Sequence, residues 1–117
     1  MPISAIQALE QAAAAAARGD CWGAATRLRQ AFETTDVLGR RWQDAIAIAM
    51  RIADDHGRVL AARRLWEECG CGTAETFALA EALTEAGQAP EAIGLLQPLA
   101  DAGALDPDQL FRLTRML

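Results

Sequence analysis

Thr73-Ala-Glu-Thr-Phe-Ala-Leu-Ala-Glu-Ala-Leu-Thr-Glu-Ala-Gly-Gln-Ala-Pro-Glu-Ala-Ile-Gly-Leu-Leu96, followed by Gln97-Pro-Leu-Ala and a closing Asp106-Pro107, decides how the rest of the chain is read. Leu79, Ala80 and Leu83 recur at the spacing of one helix face. Gly87 ends that helix, because glycine enters the left-handed region without steric cost. Pro90 falls at the start of a second helix, whose buried side is marked by Ala92, Ile93 and Leu96. The stretch therefore predicts two antiparallel helices crossing at a small residue.

The same arrangement recurs upstream. Gly57 is followed by Ala62 and Trp66 at offsets of five and nine, as Gly87 is by Ala92 and Leu96. Gly19 is followed by Ala24 and Leu28 at the same offsets, within Arg18-Gly-Asp-Cys-Trp-Gly-Ala-Ala. Read this way, the three turn glycines are 38 and 30 residues apart, which places extra residues in Val37–Arg41 and missing ones in Cys69–Gly72.

The pattern Leu79-Ala80…Leu83…Gly87…Glu91-Ala92-Ile93…Leu96…Asp106-Pro107 resembles the tetratricopeptide repeat, a helix pair of about 34 residues. The resemblance covers the chain from about Ala5 onward. It departs from the family where Ala8, Ile46 or Thr76 stands at the early aromatic position and Gln11 at a leucine position. It implies a single all-α domain over 1–117, a right-handed superhelical stack of antiparallel hairpins (a TPR-like α-solenoid) with about seven helices. The hairpins are expected near 4–35, 40–69 and 73–103, with a final or truncated helix at 107–117.

Composition agrees with helices. Alanine supplies 27 of 117 residues, and lysine, asparagine and tyrosine are absent; alanine loses no side-chain entropy on entering a helix. Alternation over Ile46–Ile52 lies inside an alanine-rich window and reads as a buried helix. Net charge is −5, with four arginines against nine acids after residue 58, the reverse of a nucleic-acid binder. No segment reaches the roughly 20 apolar residues that span a bilayer. Met1-Pro-Ile-Ser lacks the basic start of a signal peptide, so the expected location is cytoplasmic.

Taken in order, Ser4 with Gln7 forms a capping box for a first helix ending near Arg18. Asp20 caps a second, with Trp22, Ala25, Leu28, Ala31 and Phe32 as its apolar stripe. A third helix is expected over Arg40–Asp55, closed by His56 and Gly57, and a fourth over Arg58–Glu68. Thr73 is read as the cap of the fifth, and Pro98 as a kink at Gly94 in the sixth. Asp106-Pro107-Asp-Gln109 carries a complete start signal for the seventh.

Candidate chemistry is sparse. Cys69-Gly70-Cys71 could bind a soft metal or cycle as a redox pair, but Cys21 is distant in sequence and Glu67 and Glu68 disfavour a thiolate. Three cysteines, an odd number, predict reduced, metal-free thiols. With one histidine and one serine there is no support for a catalytic triad, and no cofactor, metal or catalytic residue is expected.

The resemblance instead implies a concave groove lined by the first helices. Its expected residues are Ile6, Leu9 and Ala13 from the first hairpin, Asp44, Arg51, Asp54 and Asp55 from the second, and Phe77, Glu81 and Glu85 from the third. Asp54, Asp55, Glu81 and Glu85 would draw a basic partner segment, anchored on Ile6, Leu9 and Phe77. The implied function is a protein–protein interaction module, a small bacterial scaffold or chaperone. The alternative is the N-terminal repeat region of a larger bacterial enzyme, of sulfotransferase or glycosyltransferase type, with its catalytic part beyond residue 117. Leu110, Leu113 and Leu117, with Phe111, form an apolar stripe on the last helix. It predicts either a homodimer through 107–117 or packing back onto the fifth and sixth helices. No nucleic-acid or membrane partner is expected.

Overall fold

Capping chemistry sets where most of the helices begin. A computed structural model describes residues 3–70 and 72–116. In α1 (Ala5–Ala17) the Ser4 hydroxyl accepts from the Gln7 amide and the Gln7 side chain from the Ser4 amide, the expected capping box. Asp20 and Asp54 cap α2 (Cys21–Glu33) and α4 (Asp55–Glu68) by accepting from the Gly23 and Gly57 amides. Between them a 3-10 turn, Gly39–Arg41, leads into α3 (Trp42–Arg51). In α5 (Thr73–Glu85), Thr73 is the first helical residue and not the cap; Gly72 precedes it without a side-chain cap. Next, α6 (Ala89–Asp101) runs on through Pro98. Gly94 and Pro98 are both exposed, so the carbonyl that loses its donor faces water. The last helix, α7 (Pro107–Met116), opens on the reciprocal Asp106–Gln109 bonds.

The turns inside the hairpins reveal the period. Gly19, Ala53 and Gly87 hold φ of 77°, 55° and 80°. The next amide in each, from Asp20, Asp54 and Gln88, donates to the carbonyl five residues back, on Ala15, Ala49 and Leu83, at 2.9, 2.8 and 2.8 Å. This is the 6→1 bond that closes a helix through a left-handed residue. The three turns are 34 residues apart in both steps. The sequence expectation of a second turn at Gly57 is thereby corrected: the turn residue is Ala53, and neither link has gained or lost residues. Gly57 lies in the first turn of α4, as Gly23 does in α2; at both, a Cβ would collide with the carboxylate of the capping aspartate. His56 likewise starts a helix and does not close one. With this register Trp42 takes the place of Ala8 and Thr76, and supplies the early aromatic side chain.

Among the described residues there is no strand, so the chain is all-α. Helices α1 and α2, α3 and α4, and α5 and α6 pack as pairs; α1 also meets α3, α2 meets α4, α4 carries α5 and α6 carries α7. The molecule is drawn out, 47 × 26 × 19 Å. Two apolar clusters fill it, and α4 belongs to both. Ala61 and Leu65 join the first with Leu9, Leu28, Trp42 and Ile48; Val59 and Ala62 join the second with Phe77, Leu79, Leu83, Leu96 and Leu113. Alanine at most contact positions lets the backbones approach closely. Trp22 is not part of the α2 stripe; it is 81% exposed.

Candidate functional site

The first helices of the first two pairs leave a depression between them. From α1 come Ile6, Leu9, Glu10 and Ala13, spaced three and four residues apart and so on one face. Arg41, at the end of the 3-10 turn, and Asp44, Ala47 and Ile48 of α3 form the other wall, around about 380 Å³. Four of the residues expected in a groove, Ile6, Leu9, Ala13 and Asp44, are thus brought together. Their roles differ. Leu9 and Ile48 are buried and form the floor; Ile6, Ala13, Asp44 and Ala47 are exposed. Glu10, Asp44 and Arg41 give the rim both signs of charge. Arg51 is exposed at the end of α3 and does not line this depression.

The four carboxylates expected in one groove, Asp54, Asp55, Glu81 and Glu85, do not share a depression. Asp54 is turned to its own helix, accepting from the Gly57 amide, and is paired with Arg29 at 3.3 Å. Glu81 is paired with Arg112 at 2.9 Å. Asp55 and Glu85 do meet, in a separate depression of about 490 Å³ with His56, Val59 and Gln88. Phe77, 5% exposed, belongs to the second cluster and offers no anchor to a partner. The physical reason is the register: Asp54 and Asp55 cap and open α4, so they do not ride on a first helix.

A densely connected polar group lies outside every pattern singled out in the sequence. Glu68, on the last turn of α4, accepts from the amides of Leu38 and Gly39 at 2.8 and 2.9 Å, from Trp42 Nε1 at 2.7 Å and from Arg64 Nε at 3.1 Å. Arg64 also donates to the carbonyls of Phe32 and Asp36 at 3.2 and 3.1 Å. Its guanidinium lies 4.6 Å from the Trp42 ring centre, and that ring stacks on Phe32 at 5.8 Å. Burial alone would raise the Glu68 pKa. The donors from Gly39, Arg64, Trp42 and Leu38 outweigh it and hold the carboxyl below the ordinary glutamate range. The signal in the sequence was Arg64 four residues before Glu68, on one helix face.

A second set of cations follows the period. Arg29 of α2 reaches the Asp54 cap of α4, and Arg63, 34 residues later, reaches Glu91 in the first turn of α6 at 3.0 Å. Cys21 is exposed, and Cys69 ends α4 half-buried; both are free thiols. Cys71, the other member of the expected thiol pair, lies outside the described residues. Among the described residues no three metal-ligating side chains gather, and no helix is long and apolar enough to cross a membrane. No family model, curated protein or solved structure matches the chain.

Proposed function

We propose that this protein is a tetratricopeptide-like repeat module, a scaffold that holds a segment of a partner protein in the depression between α1 and α3. The observation that carries the reading is the recurrence of one turn geometry at Gly19, Ala53 and Gly87, 34 residues apart, the length of that family's unit. In such a stack the first helices share a face. Here that face offers exposed Ile6, Ala13 and Ala47 over an apolar floor, rimmed by Glu10, Asp44 and Arg41. The small side chains admit a close approach, and the mixed rim favours a segment with an apolar residue flanked by opposite charges.

The test is site-specific photo-cross-linking in the source cells. A photoreactive residue at Ala13 and another at Ala47 are expected to capture one common protein, at a single segment of its chain. The same residue at Gln97, exposed on α6, should not capture it, and Ile6→Arg should abolish capture from both positions. Equal capture from Gln97, or capture indifferent to Ile6→Arg, would refute the reading.

A further inference from the structure

The fourth place in the series is taken by α7, on which no following helix packs among the described residues. First helices open at Ala5, at Gly39 through the 3-10 turn, at Thr73 and at Pro107, again in steps of 34. Leu110 therefore stands where Thr76, Trp42 and Ala8 stand, all 5% exposed or less; Phe111 stands where Phe77 and Leu9 do, at 5% each, and where α3 carries the exposed Gln43. Thr114 corresponds to the buried Ala80 and Ala12 and to the half-buried Ile46. In α7 the same positions are open: Leu110 is 42% and Phe111 61% exposed, and Thr114 is exposed. Leu113, next to Leu110 on the side of α7 turned to the protein, is buried in the second cluster, and Met116 packs against that cluster. Helices α1, α3 and α5 each have a following helix packed on them; among the described residues α7 has none.

We propose that two copies of the chain pair through α7, antiparallel about a two-fold axis near Leu110–Thr114, each α7 covering the other. The charge pattern selects this occupant. Asp108 and Arg115 are seven residues, two turns, apart and flank Phe111 on one side of the helix. Antiparallel pairing sets each Asp108 against the partner's Arg115, whereas parallel pairing carries the two charged edges to opposite sides of the seam and leaves them unmatched. It also opposes the two helix dipoles. Asp108 is 72% exposed, and its bond to Arg112 at 3.3 Å is an exposed i,i+4 pair that is readily exchanged. The Arg115 guanidinium already lies over the Phe111 ring, 6.0 Å from its centre. The other exposed large hydrophobics, Ile6, Trp22, Val37 and Met50, each stand on a different segment, so Leu110 and Phe111 form the one adjacent pair on a described helix. This inference is independent of the α1–α3 depression.

Sedimentation equilibrium of the 117-residue chain over a wide concentration range tests it. The wild type should move from monomer towards dimer mass as concentration rises. Phe111→Glu should stay monomeric with unchanged helical circular dichroism, since the ring is exposed. Asp108→Arg and Arg115→Asp should each weaken the dimer by roughly tenfold, two pairs being lost per dimer, and the double exchange should recover the wild-type constant. A wild type monomeric throughout overturns the proposal, as does a dimer indifferent to Phe111→Glu. Failure of the double exchange to recover overturns the antiparallel arrangement.

Discussion

The link between α2 and α3 and the link between α4 and α5 join successive hairpins in one period, by different chemistry. The first, residues 34–38, is laid over an ionic hub: Arg64 takes the carbonyls of Phe32 and Asp36, and Glu68 takes the amides of Leu38 and Gly39 and the Trp42 indole. Asp36 in turn accepts from the Ala5 amide at 3.0 Å, tying the start of α1 to the same link. The second, residues 69–72, has a neutral fastening, with Trp66 Nε1 donating to Thr76 Oγ1 at 3.0 Å and that hydroxyl donating to the Gly72 carbonyl at 2.8 Å. The comparison teaches that a link whose backbone polar groups find no helix partners is satisfied by a charged pair from the neighbouring helix, and then depends on that pair.

The largest effect is expected at the hub. Glu68→Ala leaves the Trp42 indole, two amides and part of Arg64 without their acceptor, in a site where the Glu68 side chain is only 13% exposed. Loss of about 2–3 kcal/mol in urea unfolding is expected; a loss no larger than that of a surface substitution would remove the hub from the account. Acid sharpens the point. Because the folded-state pKa of Glu68 is depressed, its contribution is complete above the unfolded value, about 4.3, and is lost as pH falls through the lower folded value. The margin of wild type over Glu68→Gln should therefore be constant near neutrality and narrow only below that pH. A margin that widens with acid would reverse the assigned direction.

At the second link the expected effect is smaller. Trp66→Phe keeps most of the ring and removes one neutral donor, while Thr76 retains its bond to Gly72. A cost of about 1 kcal/mol follows, with no added acid sensitivity. Equal costs for Trp66→Phe and Glu68→Ala, measured by the same urea titration, would erase the distinction between the two links.

The third hairpin was the most legible in the sequence, because its turn is a glycine and a proline opens its second helix; 73–103 was expected, and α5 and α6 span 73–101. The second hairpin was misread because glycine served as the marker of a left-handed turn. Ala53 holds that conformation against a steric cost of about 1–2 kcal/mol, while the visible Gly57 sits inside a helix beneath its cap. The misreading slid the second hairpin by four residues. Four residues on a helix turn the face by only about 40°, which is why Asp44 still borders the α1–α3 depression. Asp54 and Asp55 were carried off the first helix altogether. Leu9 and Phe77 were recognisable as apolar residues of first helices, but periodicity does not tell a groove wall from the core beneath it. Glu68 escaped notice because its partners Leu38, Gly39 and Trp42 are distant in sequence and offer no local pattern.

The shared 34-residue unit is the central claim, and Ala53→Gly tests it most directly. Ala53 is exposed and holds φ 55°, so glycine there relieves strain without removing a buried contact. If Ala53 is the counterpart of Gly19 and Gly87, the substitution raises the urea midpoint by the equivalent of about 1 kcal/mol at unchanged slope. If the turn were at Gly57 and α3 ran on to residue 55, Ala53 would be interior helix and glycine would cost about 1 kcal/mol. The two registers predict opposite signs, and a lowered midpoint would contradict the account.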